Sequence, residues 1–376
     1  MEGVAAPIES STRGSGGEVV PLPIEGLTSG IEPVWVTVEE GRAPTRTARP
    51  VVPLRGHGGP VGPDVSIGAG EPLAVALQRI CVGQLDRTLV ALGQGADLDD
   101  GIHTARKAMK RTRAILRLCR YEIGDRVFRV ENVVLRDAAR RISPVRDAAV
   151  RLETLAIIVA PHEEQLVPEA FAFLRTELAR RHREQLESLD QTGSVPEVTA
   201  MVEAARSRYA GWPTDTSDGR VPGRAVISDA FDAVEPGLRR TYRRGRRAMA
   251  SARTSPESFH EWRKSAKYLR YQMETLEPVW PSVLGGLART ADNLSETLGT
   301  EHDLAVLSEL VTDQQNLSPR RGERKLLLSL IGHKQQSLRE EAWVLGTRVY
   351  AESPAGFTAR IGSYWNAWRP PILSNS

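Results

Sequence analysis

From about residue 66 onward, apolar residues fall on helical spacing. Leu73, Leu77, Ile80, Leu85, Leu89 and Leu92 form one such stripe, as a helix with a single buried face requires. Comparable stripes recur at 101–121, 125–142, 144–159, 163–190 and 195–210. They return at 226–252, 256–277, 282–299, 302–315, 320–351 and 354–368. The period-two alternation of a half-buried strand is absent. The pattern predicts an all-α fold. Gly211 to Gly223, with Pro213 and Pro222, reads as a connector. Residues 1–65 are rich in Gly, Pro, Ser and Thr and predict a disordered or low-complexity segment. Its one strand-like run, Val34-Trp35-Val36-Thr37-Val38, has no evident partner.

The second half of the pattern repeats the first. His103, Arg106, Lys107, Lys110 and Arg113 coincide with His260, Arg263, Lys264, Lys267 and Arg270 at an offset of 157 residues. Asp147 and Asp303, Pro196 and Pro354, and Trp212 and Trp368 keep that offset within one residue. Two basic helices alike by chance would not hold such a register. The expected organisation is a 1–65 segment followed by one domain at 66–370, with repeats at about 66–212 and 225–370.

Composition narrows the class. With 376 residues, 40% hydrophobic and 26% charged, the chain can bury a substantial core. No apolar run approaches the roughly 18–20 residues of a membrane helix. Two cysteines, Cys81 and Cys119, do not make a disulfide framework. The start of the chain lacks the pattern of a secretory signal. A cytoplasmic location is expected. Net charge is only +3, and all but six of the 50 basic residues are Arg; position along the chain says more than the total.

With His103 as origin, Arg106, Lys107, Lys110, Arg113 and Arg117 fall within an arc of about 120° on a helix. Ala105, Met109, Thr112, Ile115, Leu116 and Cys119 take the other side. No Asp or Glu occurs between Gly101 and Tyr121. An ordinary solvated face mixes signs, because like charges one turn apart cost about 0.2–0.5 kcal/mol per pair. An unmixed stripe of this length calls for an anion. In the second copy, His260, Arg263, Lys264, Lys267 and Arg270 share one face, and Trp262, Ala266, Leu269 and Met273 the other. Further cations gather at Arg129, Arg136 and Arg140, at Arg180–Arg183, at Arg239–Arg247 and at Arg320–Lys325. Readers of single-stranded nucleic acid add aromatics for base stacking. The first stripe has none, and aromatics are 5% of the chain. No zinc-finger, RNP-type or helix-turn-helix signature is visible. A chain of phosphates without bases fits best, which points to inorganic polyphosphate; a nucleic-acid backbone stays open as an alternative.

Three runs carry a family resemblance. They are His103-x-x-Arg106-Lys107-x-x-Lys110-Arg111-x-Arg113 with Arg146-Asp147, then Leu238-Arg239-Arg240-x-Tyr242-Arg243-Arg244-Gly245-Arg246, and His260-x-x-Arg263-Lys264-x-x-Lys267-x-x-Arg270-Tyr271 with Leu298-Gly299-x-Glu301-His302-Asp303. The chain resembles the CHAD family, the conserved-histidine α-helical domain, over about residues 66–370. The resemblance implies two pseudo-symmetric helical bundles around a basic central cavity that binds inorganic polyphosphate, and association with polyphosphate granules. It implies that the matching positions carry the binding: His103, Arg106, Lys107, Lys110, Arg113, Arg140, His260, Arg263, Lys264, Lys267, Arg270 and His302. Relatives often carry a triphosphatase domain marked by E-x-E-x-K, and Glu39-Glu40-Gly41-Arg42 does not match it. The Ser143-Pro144 of the first copy stands where the second has Leu298-Gly299, so a different local turn is expected.

His103 and His260 have three readings: phosphate contact, packing on the helix face, or metal ligation, the last opposed by the surrounding cations. Asp147 and Asp303 read as acids that orient neighbouring Arg or His. No Walker loop, nucleophile motif or carboxylate cluster for Mg²⁺ is evident. The expectation is a binding protein without cofactor or catalysis, with no membrane partner. An enzyme acting on polyphosphate or a phosphorylated metabolite is the alternative.

Overall fold

The computed structural model describes residues 64–93, 97–167, 169–212, 227–253, 257–317 and 320–369. The segment expected to be disordered, except for its last two residues, lies outside them, as do the run Val34–Val38 and most of the Gly211–Gly223 connector. Among the described residues the fold is all-α, with no strand. Its helices are α1 (Leu73–Gly93), α2 (Leu98–Leu118), the short α3 (Arg120–Ile123), α4 (Asp125–Arg141), α5 (Ser143–Val159), α6 (Ala172–Gln191), α7 (Ser194–Ala210), α8 (Glu235–Ser251), α9 (Glu257–Leu276), α10 (Pro281–Asp313), α11 (Arg321–Val349) and α12 (Pro354–Trp368).

Local chemistry sets the helix starts. Proline occupies the first turn of α5, α8, α10 and α12, where a missing N–H costs nothing. The Asp97 carboxylate accepts the Asp99 N–H at the head of α2, and the Ser353 hydroxyl accepts the Gly356 N–H at the head of α12. The predicted wheels hold. Ala105, Met109, Thr112, Ile115, Leu116 and Cys119 of α2 are buried, as are Trp262, Ala266, Leu269 and Met273 of α9.

In the first half, α1 lies against α2 and α7. In the second, α8 lies against α9 and α12. The halves meet where α2 packs on α9 and α5 packs on α10. At Gly237, α8 runs so close to the end of α2 that an added Cβ would sit 2.1 Å from the Leu118 carbonyl oxygen. Residues ahead of α1 join this seam: Val65 and Ile67 are buried, and the Ile67 N–H donates to the Thr275 carbonyl of α9 at 3.1 Å.

Apolar packing forms two cores. The larger takes in α1, α2, α4, α7, α8, α9, α12 and the first part of α10, with Val145 at the start of α5, Leu189 at the end of α6, and Ala342 and Val349 towards the end of α11. The smaller joins the ends of α5 and α10 to α6 and α11, around Leu155, Ile158, Leu174, Leu178, Leu304, Leu307, Leu327 and Ile331.

Three predicted boundaries are corrected. The stripes at 282–299 and 302–315 form one helix, because Gly299 is buried inside α10 and no proline interrupts it. The stripe at 163–190 yields a helix only from Ala172. Buried Phe171 adopts a left-handed conformation, φ 62°, that ends any continuous helix before it, and Ala160–Gln165 is 3₁₀. The stripe at 226–252 becomes α-helical only at Glu235, after a 3₁₀ turn at Phe231–Ala233, with Pro236 in the first turn where its missing N–H is tolerated. The expected difference at Ser143-Pro144 is present: the first half breaks at Ile142, between α4 and α5, where the second runs on unbroken through α10.

Candidate functional site

Lys110 and Lys267 occupy matching positions on α2 and α9, which pack on each other, and the charges acting on Lys110 come from both halves. Both lysines are half-buried. Arg106, one turn before Lys110, donates to the Ser143 hydroxyl at the head of α5 and reaches Asp147 Oδ1 at 3.5 Å. Arg263, one turn before Lys267, faces Asp303 Oδ1 of α10 at 4.0 Å. Its guanidinium rests on Gly299, where an added Cβ would stand 3.5 Å from Nε and 3.7 Å from Nη2. Each arginine thus has one acid beside it.

Electrostatics tie these groups into one cluster. Burial lowers the Lys110 ammonium to about 7, helped by Lys267, Arg106 and Arg263 and opposed by Asp147. Burial lowers Lys267 to about 8, helped by Arg263 and Arg270 and opposed by Asp292 and Asp303. Neither lysine makes an ion pair or side-chain hydrogen bond among the described residues. Arg106 is also lowered, by burial and then by Arg146 and Arg263, against Asp147. Burial pushes the Asp303 carboxyl up, with Arg263 and Lys267 resisting. The histidines stand on the same ground. Partial burial and then Arg146, Lys107 and Lys110 lower His103. His260 and His302 face each other with ring centroids 4.9 Å apart, and burial followed by nearby cations lowers both. These shifts share two causes, partial removal from water and the closeness of like charges.

Not every predicted contact residue stands free to meet an anion. Arg270 is buried and bonded to Glu274 (2.7 Å) and to Asp292. Glu274 also accepts from Arg111 of α2. This ionic network locks α2, α9 and α10 together. Lys107 lies beside it, lowered by burial, Arg270 and Arg111. Arg113 donates to Asn132 Oδ1 at 3.1 Å, Lys264 pairs with Glu261 of its own helix, and Arg140 is exposed on α4. The Arg180–Arg183 run is a mixed-sign surface: Arg180 and Arg181 pair with Glu177, Arg180 also with Glu184, and His182 with Asp99. Tyr271 is buried, with Arg111 and Arg270 over its ring.

Four contributors escaped the candidate set. Arg146 acts on His103, Arg106 and Asp303; its place beside Asp147 was the signal for it. Ser143 anchors Arg106. Gly299 seats Arg263. Arg117 stacks on Tyr268 at 4.0 Å, lowered to about 10 by burial and then Arg113, Arg244 and Arg120, with Tyr268 opposing. A cavity of about 420 Å³ lies elsewhere, lined by Phe231, Glu235 and Arg239 with Thr358, Ala359 and Gly362 of α12. Its small apolar and mixed-charge lining lacks the convergent cations of the cluster. No group of three or more His, Cys, Asp or Glu is placed to hold a metal among the described residues, and no helix there is long and apolar enough to cross a membrane.

A family model described as the CHAD domain matches residues 79–312. The chain belongs to the CHAD domain family. The matched CHAD span runs from α1 to the end of α10 and includes every residue of the cluster. Among solved structures, the chain is similar to the crystal structure of the CHAD domain from the plant Ricinus communis. Identity is 15%, the match covers 83% of this chain and 98% of that chain, and the TM-score is 0.44. No curated protein matches the chain.

Proposed function

We propose that this CHAD protein binds inorganic polyphosphate through the cluster built around Arg106, Lys110, Arg263 and Lys267, and associates with polyphosphate granules in the cytoplasm. The observation that carries the reading is the pair of half-buried lysines without a counter-ion among the described residues, each one turn from an arginine beside a single acid. Such a cluster is repulsive when empty, and a polyanion relieves it. We read the repeat as functional: two pseudo-symmetric halves each supply a His-Arg-Lys-Lys set to one basic cavity, and a phosphate chain spans both. His103, His260 and His302 sit at the rim of this set and contact phosphate as imidazolium, because a polyanion favours their charged form. The binding is assigned no chemistry; the CHAD domain is generally not a catalytic domain.

The test is a titration with long-chain polyphosphate, orthophosphate and duplex DNA at several salt concentrations. Polyphosphate should bind tightest, with affinity falling steeply as salt rises because each neutralised phosphate releases counter-ions, as on nucleic-acid backbones. Affinity that is flat with salt, or DNA binding as strong as polyphosphate binding, refutes the proposal.

A further inference from the structure

We infer that Arg113 and Arg117 form a second phosphate subsite, held open and charged by Asn132, which lets the protein select long polyphosphate chains over short ones. This inference rests on the binding reading above.

The repeat supplies the first observation. At the offset of 157 residues, Arg113 matches Arg270 and Arg117 matches Glu274. In the second copy this pair closes on itself: Arg270 Nε donates to Glu274 Oε1 at 2.7 Å, and Arg270 also pairs with Asp292. In the first copy a second cation stands in place of the acid, and the acceptor beside both arginines is the neutral amide of Asn132 on α4. Asn132 Oδ1 accepts from Arg113 Nε at 3.1 Å and from Arg117 Nη1 at 3.0 Å. Arg117 Nη1 also donates to the Arg113 carbonyl at 2.9 Å, and its guanidinium lies 4.0 Å from the centre of the Tyr268 ring. Two arginines are thus fixed in place by groups that carry no charge.

Neither arginine makes an ion pair among the described residues. The acids nearest in the chain are engaged elsewhere: Asp125 pairs with Arg120, and buried Glu131, next to Asn132, pairs with Arg208. The bond to Asn132 takes only Nε of Arg113, so its Nη1 and Nη2, with Nε and Nη2 of Arg117, have no protein acceptor among the described residues. Both side chains are half-buried and remain partly open to solvent. Guanidinium donors so presented match phosphate oxygens. Like charges one turn apart oppose the helix, and the second copy shows that an acid can stand at the same position. Holding two arginines side by side without an acid keeps their charge for an anion from outside.

Placement sets the length of that anion. Arg113 and Arg117 share the face of α2 that carries Arg106 and Lys110. From Arg106 to Arg117 the helix rises roughly 16 Å, at about 1.5 Å per residue. Pyrophosphate is far shorter than this span and can occupy one end only. A long chain seated on the cluster reaches Arg117 as well, and its second engagement is intramolecular.

The experiment is titration of the full chain with long-chain polyphosphate and with pyrophosphate at several salt concentrations, for wild type and for Asn132→Asp. The aspartate has nearly the shape of asparagine, so the arginines keep their places and lose their free charge. Long-chain affinity should fall about tenfold, and the slope of log affinity against log salt should become shallower by about one. Pyrophosphate affinity should change much less, because an exposed charge is screened over about 8 Å at physiological salt. The melting temperature should hold or rise, since two cations gain an acid; a merely structural asparagine would not join firm folding to weaker binding. Arg117→Gln deletes one cation without adding an acid. It should show the same split between the two ligands, and it decides the case if Asn132→Asp does not fold. Long-chain affinity that is unchanged, or that falls by the same factor as pyrophosphate affinity, overturns the inference and leaves the binding reading intact. A wild-type protein that binds no long-chain polyphosphate overturns both.

Discussion

Gly299 separates helix stability from ligand binding in one position. It lies inside the 33-residue α10, where glycine costs roughly 0.8–1.0 kcal/mol relative to alanine. Its place against Arg263 decides what may replace it. A Cβ there stands 3.5 Å from Nε, an ordinary contact, so Gly299→Ala should fit without moving the guanidinium. The expected gain is up to about 1 kcal/mol, which for a domain of this size raises the melting temperature by about 2 °C. Polyphosphate affinity should be unchanged. Gly299→Leu extends the side chain into the volume the guanidinium occupies and displaces Arg263 from its seat opposite Asp303. Loss of one charge-assisted contact, worth about 1.5–3 kcal/mol, should weaken binding about ten- to a hundredfold. The leucine helix should melt no lower than a few degrees below wild type, because leucine is a good helix former. Melting curves and titrations on both variants check this. An alanine variant that melts lower than wild type, or a leucine variant that binds as well as wild type, shows that Arg263 does not work from that seat.

Arg106→Glu and Arg263→Glu should each weaken polyphosphate binding severalfold or more, while Arg348→Glu, on the exposed end of α11, should not; equal losses in a titration would mean that bulk charge alone matters. Glu274→Gln removes the acid shared by Arg111 and Arg270, leaving Arg270 with Asp292 alone and Arg111 without its ion pair, which should cost about 3 kcal/mol in denaturant unfolding; a loss under about 1 kcal/mol would show the network to be dispensable. In the ligand-free protein, folding lowers Lys110 and Lys267 below their unfolded values, so the unfolded chain binds more protons between pH 7 and 8.5 and stability rises with pH there. A melting temperature that falls across that interval contradicts the burial assigned to the two lysines.

The helical pattern was legible wherever a stripe was long and amphipathic. Both faces of α2 and α9 came out as read, because one-sided burial leaves a 3.6-residue signature that neighbours do not alter. Boundaries were harder. Gly299 suggested a stop, and only the guanidinium packed over it explains a buried glycine in mid-helix. The Phe171 corner carried no glycine or asparagine to announce a left-handed residue. The candidate cations on the stripes were visible, but their partners were not. Arg270 and Lys267 look equivalent in sequence, and the network through Glu274 and Asp292 separates them. Arg180 and Arg181 formed a basic run whose acids, Glu177 and Glu184, sit one turn away and cancel it. Charge counted along a chain does not reveal which charges are already spent.

The two apolar cores share α5, α6, α10 and α11, and along α5 and α10 the passage from one core to the other comes at the charged stretch. Along α10 the larger core ends at Leu298 and the smaller begins at Leu304, with Gly299, Glu301, His302 and Asp303 between. Along α5 the same passage runs from Val145 to Leu155, across Arg146 and Asp147. Oily contact is therefore interrupted at the level where cations repel one another. This level is a seam of low cooperativity: amide hydrogens of the first parts of α6 and α11 and of the ends of α5 and α10 should exchange with solvent through openings that leave the larger core closed. An anion seated at the seam makes the two regions open together, so its occupancy is written in the exchange rates of amides that it never touches.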